Sequence, residues 1–139
     1  MINKFLALPL ALALAGTIGC TKKGSQTGEG TNNATKASAN EILIGEYGSF
    51  TGSEATFGIS TSNGIKMALE EKNKAGGVKG KQLKLISLDN QGKAEEAAAA
   101  VTRLITQNGV IAVIGEVASS RSLAAAPIAE AAKVVMLSP

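Results

Sequence analysis

The 139-residue chain has no histidine and no tryptophan, one cysteine, one tyrosine and three phenylalanines. Without histidine, neither a Ser-His nor a Cys-His nucleophile can be assembled, and a His/Cys zinc site lacks its ligands. Most hydrolase and metalloenzyme chemistry is thereby excluded; a non-enzymatic protein without cofactor or metal is expected. An excess of charge is lacking where it would matter. The net +3 is carried by Lys4, Lys22, Lys23 and Lys36 against Glu29, and from Asn40 onward the chain is balanced. No basic patch with interleaved aromatics is present, so nucleic acid is not an expected partner.

Long apolar runs are also scarce. The one at the amino terminus follows Lys4, extends from Phe5 to Ala15, and closes on Gly16, Thr17, Ile18 and Gly19 before Cys20. A charged start, an apolar middle and small residues at the exit make residues 1–19 a secretory signal. The run falls short of the roughly 20 residues that span a bilayer as a helix. Thr17-Ile18-Gly19-Cys20 resembles the bacterial lipoprotein lipobox, in which the cysteine becomes the acylated first residue of the mature protein; Thr17 stands where leucine is usual. The alternative is an ordinary signal peptide with an incidental cysteine. Residues 20–40 hold no apolar side chain larger than alanine beyond Cys20 itself, and read as a flexible tether between a lipid anchor and a domain.

After Asn40 the pattern changes to alternating strands and helices. Strands are predicted at 42–47, 83–88, 110–114 and 134–137, and helices at about 56–74, 93–107 and 120–132. Val110 to Ile114 is almost wholly apolar, as in a strand buried on both faces. Alternation with short connections implies an α/β fold, a doubly wound parallel sheet with helices on both faces. Residues 41–139 are expected to form one such lobe. The stop at Pro139, just after the fourth strand, suggests the amino-terminal fragment of a longer protein.

Open parallel sheets bind ligands at the carboxyl ends of their strands. Here those ends are 48–57, 89–92 and 115–120. Gly45, Gly48 and Gly52 do not give the dinucleotide-binding glycine spacing, and Gly115-Glu116 stands where a receiver domain needs its aspartate. In Gly115-Glu116-Val117-Ala118-Ser119-Ser120 a glycine turns the chain and paired serines open a helix. Hydroxyls and free backbone N–H groups there can cradle a carboxylate. The plainer reading makes Ser119 or Ser120 a helix cap. Glu116 and Arg121 can read a polar ligand, but the balance favours solvated surface charges.

Gly48-Ser49-Phe50-Thr51-Gly52, Phe57-Gly58, Asn63-Gly64, Asn73-Lys74-Ala75-Gly76-Gly77-Val78-Lys79-Gly80, Gly115 to Ser120, and Leu137-Ser138-Pro139 together resemble the amino-terminal lobe of type I periplasmic solute-binding proteins. The leucine/isoleucine/valine-binding family is the best match, from Glu41 to Pro139. That resemblance implies a substrate-binding subunit of an ABC importer, capturing a branched-chain amino acid or related small polar solute in the periplasm and passing it to an inner-membrane permease. It places Ser119 on the serine that binds the ligand's α-carboxylate, and Phe57 on the aromatic that lies against the ligand side chain. With Ser120 and Ala118 these are the candidate ligand-binding residues. Phe57 has a plainer alternative, packing into the lobe. A ligand-sensing module of the same fold is the alternative function.

Overall fold

The computed structural model describes residues 38–139. The expected signal segment, Cys20 and most of the expected tether lie outside these residues. The element order is β1 (Glu41–Gly48), α1 (Ala55–Lys74), β2 (Gln82–Asp89), α2 (Ala94–Thr106), β3 (Ala112–Ile114), α3 (Ser119–Ala131) and β4 (Val135–Leu137). Just before β1, the N–H of Glu41 donates to Ser38 O (3.1 Å) and that of Gln82 to Asn40 O (3.0 Å). Among the described residues no helix is long and apolar enough to cross a membrane.

All strands are parallel, in the order β2-β1-β3-β4. In register, Gly45 pairs with Ile86 on one side and Val113 on the other, and Val113 pairs with Met136. Side chains alternate between faces along a strand, so these positions share a face. A side chain at Gly45 would meet Leu104 of α2 and Val110. On the opposite face Glu46 accepts a hydrogen bond from Ser62 of α1 (3.2 Å). Hence α2 and α3 cover one face and α1 the other.

The core lies on the α2/α3 face. Leu43, Tyr47 and Val113 of the sheet meet Ala97, Ala100, Val101, Leu104, Ala125 and Ala129 of the helices, all buried. Full burial of a side chain such as Leu104 contributes about 1.5–3 kcal/mol. Alanine along α2 and α3 lets these helices approach closely, while Glu95 and Glu96 in the first turn of α2 and Arg103 in its last suit the helix dipole.

The α1 face is thinner. Gly58 and Ser62 are the buried residues of α1; its large apolar residues Ile59 and Met67 are exposed. Ile65, Leu69, Ile114, Leu137 and Pro139 line an open apolar hollow of about 420 Å³ between α1 and the β3/β4 half of the sheet. β3 is accordingly not buried on both faces as predicted. Val113 is fully enclosed on the α2/α3 face, whereas Ala112 and Ile114 on the other are only half-buried, because α1 lies over β1 and β2.

Candidate functional site

Three connections converge at the carboxyl edge of the sheet: residues 49–54 after β1, 90–93 after β2 and 115–118 after β3. Glycine permits two of the close approaches. A Cβ at Gly58 would lie 2.0 Å from Ser49 O, and one at Gly115 2.0 Å from Tyr47 O, where φ is also +120°.

Beneath these loops lies a buried polar cluster. Glu116 is 2% exposed and Arg121 7%, so neither is the solvated surface charge predicted. Ser49 Oγ donates to Asn90 Oδ1 (3.0 Å) and also lies 3.3 Å from Glu116 Oε2; Asn90 Nδ2 donates to the same carboxylate oxygen. Arg121 Nε stands 3.1 Å from Glu116 Oε2, an ion pair whose angle does not make a hydrogen bond. Arg121 Nη2 pairs with Glu54, and Nη1 donates to Gly92 O (3.1 Å). An isolated buried charge costs several kcal/mol, and pairing with hydrogen bonding offsets this cost. The loop is held from its other side by Ser122 Oγ and Ser138 Oγ, both donating to Glu116 O (2.7 and 2.9 Å).

The outer loop is tied by Asp89. Its carboxylate accepts from Phe50 N (2.9 Å), Thr51 Oγ1 (2.5 Å) and Gln91 N (2.8 Å). Burial pushes this carboxyl up, but the bonds from Thr51 and from the backbone of Gln91, Phe50 and Thr51 outweigh it and hold it below the ordinary range. For Tyr47, burial dominates and raises the phenol above its usual value.

Above the cluster, Ala118 is the N-cap of α3 with extended backbone, and no side chain caps the helix. The N–H groups of Arg121 and Ser122 both return to Ala118 O (3.1 Å each). Ser119 and Ser120 are thus the first helical residues rather than caps, with exposed side chains and first-turn N–H groups lacking intrahelical partners. This arrangement suits an anion or carboxylate. Phe57, on the first turn of α1, is 68% exposed, so it does not pack into the lobe. Phe57, Ala118, Ser119 and Ser120 belong to the open rim of one sheet edge, not to an enclosed cavity.

The sequence reading placed Ser49, Glu54, Asp89 and Asn90 at the strand ends, Ser49 also in a family motif, but gave none of them a role. The signal it passed over is a polar residue at the end of each of the first two strands, Ser49 after β1 and Asp89-Asn90 at the end of β2, where an apolar run gives way abruptly.

Residues 41–139 match the family model described as periplasmic binding protein. An amino acid binding protein of Pseudomonas aeruginosa is 33% identical over 99 residues, covering 71% of this chain and 26% of that protein. The leucine-specific-binding protein of Salmonella typhimurium is 30% identical over 103 residues, 74% of this chain and 28% of the relative. Among solved structures, the branched-chain amino acid transporter substrate binding protein LivJ of Streptococcus pneumoniae, in complex with isoleucine, superposes with a TM-score of 0.70 at 38% identity, over 71% of this chain and 28% of that one. The leucine binding protein LivK of Thermotoga maritima gives 0.66 at 43% identity, over 70% and 27%. The chain therefore spans about a quarter of the length of these relatives.

Proposed function

The chain belongs to the periplasmic binding protein family, and on that premise we propose that it supplies the amino-terminal lobe of a receptor for a branched-chain amino acid or related small polar solute, serving an ABC importer. The family is one of solute-binding proteins, and the lobe is a parallel four-stranded α/β unit of their type I fold. The observation that carries the reading is the uncapped start of α3. Ser119 and Ser120 offer hydroxyls and N–H groups to a carboxylate, Ala118 supplies the extended turn beneath it, and Phe57 offers an exposed apolar wall. A receptor that binds and releases needs such dipoles and an apolar surface, and no nucleophile. Glutamate at position 116 serves inside the lobe, buried and paired with Arg121.

In the same proposal residues 1–19 are a cleaved signal, Cys20 carries the lipid, and 20–40 tether the lobe of 41–139 in the periplasm beside its inner-membrane permease. Support comes from Thr17-Ile18-Gly19-Cys20 and the polar stretch after it.

The solute reading is tested by NMR titration of the isotope-labelled chain. L-leucine at millimolar concentration is expected to shift the amides of Ala118, Ser119 and Ser120, and L-leucinamide to leave them in place. Ser119→Ala should weaken the leucine response roughly ten- to a hundredfold, the worth of a hydrogen bond to a charged group. Its stability should change little, since Ser119 is not a cap. Phe57→Ala should alter the preference between leucine and alanine. Equal responses to acid and amide, or an unaltered response in Ser119→Ala, would overturn the proposal.

A further inference from the structure

The exposed rim proposed to meet the solute has no rigidity of its own: Ser119 and Ser120 are held only by the loop that precedes them and the helix they begin. One side chain, Arg121, reaches all three connections at this edge. Arg121 Nη2 pairs with Glu54, the residue that ends the connection after β1. Its Nη1 donates to the carbonyl of Gly92, in the connection after β2 (3.1 Å). Its Nε and Nη2 face the carboxylate of Glu116, in the connection after β3, at 3.1 and 3.5 Å. One planar guanidinium thus joins all three connections at the carboxyl edge. The cluster below repeats the linkage at lower charge: Asn90 Oδ1 accepts from Ser49 Oγ and from Gly92 N (2.9 Å), while Asn90 Nδ2 donates to Glu116. A planar guanidinium spreads five N–H donors over three nitrogens in fixed directions, whereas the three donors of an ammonium diverge from one nitrogen on a flexible stem and reach less far apart.

We infer that Arg121 is a positioning residue that locks the β1–α1, β2–α2 and β3–α3 loops into one rigid rim and so sets the geometry with which Ser119, Ser120 and Phe57 meet the solute. The solute clause rests on the function proposed above; the three-loop lock does not. With its guanidinium committed to protein carbonyl and carboxylates, and 7% of its surface exposed, Arg121 acts on a ligand through the loops rather than by touching it.

The test compares the wild-type chain with Arg121→Lys and Glu54→Gln by amide hydrogen exchange and by leucine titration. Arg121→Lys is expected to raise exchange at residues 51–54, at 91–92 and at 117–120 together, while Leu43 and Val113 in the core keep their protection. It should also weaken the leucine response about tenfold although Ser119 is intact. Glu54→Gln changes an exposed partner, preserves the core, and should loosen 51–54 alone. A change confined to 116–122 in Arg121→Lys would overturn the lock and make Arg121 a local partner of Glu116. Loosening of all three loops with an undiminished leucine response would overturn the positioning role. If Arg121→Lys loses core protection, failure of Glu54→Gln to loosen 51–54 overturns the lock by itself. A wild-type chain that ignores leucine defeats the solute reading, while the exchange data still decide the lock.

Discussion

Asp89 carries more of the site's architecture than its half-buried position at the end of an edge strand suggests, because one carboxylate receives Phe50 N, Thr51 Oγ1 and Gln91 N and so binds the loop after β1 to the end of β2. Its folded-state value lies below that of an ordinary aspartate. Folding therefore favours the ionised form. The stabilisation is fully present above the unfolded value of about 3.9 and disappears as pH falls through the lower folded value. Asp89→Asn, which keeps one acceptor and loses the charge, is expected to lower stability at neutral pH by about 1 kcal/mol. It should also flatten the loss of stability below about pH 4; urea melts from pH 7 to pH 2 check both, and parallel curves for the two proteins would refute the assignment. Glu116 and Arg121 show what sequence leaves hidden at this scale. Each stands in a short polar stretch that reads as surface, and each is buried by partners from distant loops, Asn90 and Ser49 for one, Glu54 and Gly92 for the other. No local periodicity encodes a burial produced by three loops meeting.

The elements themselves were legible, because alternation, alanine-rich amphipathic runs and glycine stops are local properties; every strand and helix lies within two residues of its predicted bounds. The faces were less so. α1 reads as an apolar stripe of Ile59, Ile65, Met67, Ala68 and Leu69, yet the line it turns inward runs through Gly58, Ser62, Ile65 and Leu69, and Ile59 and Met67 face outward. The reason is Gly58, which brings α1 so close to the loop after β1 that a Cβ would stand 2.0 Å from Ser49 O. That contact is backbone and cannot yield as a flexible side chain would. Gly58→Ala is expected to cost about 1–3 kcal/mol by overpacking, despite the better helix propensity of alanine. It should move the amides of Ser49 and Phe50. Thermal melts that show stabilisation instead would mean α1 is free to slide. The same thinness explains why β3, apolar throughout, is enclosed on one face only.

For the whole molecule, the proposal of a lipid-tethered lobe turns on Cys20. In a bacterial host the chain should label with a fatty-acid probe and partition into detergent, and Cys20→Ala should abolish both; labelling that persists in the variant would refute the anchor. The sheet order adds a kinetic consequence. β1 is made first but lies in the middle, and its ladder partners come much later: Glu41 waits for Gln82, and Ile44 for Ala112. Parallel pairing across such separations incurs loop-closure entropy before any strand contact forms, and slows folding. Among the described residues no two strands adjacent in sequence are joined by a hairpin. During synthesis the central strand therefore emerges with nothing to zip onto, and nearly the full lobe must leave the ribosome before its sheet can close. A nascent chain of this topology stays threadable longer than one built of local hairpins, which suits the export proposed for it.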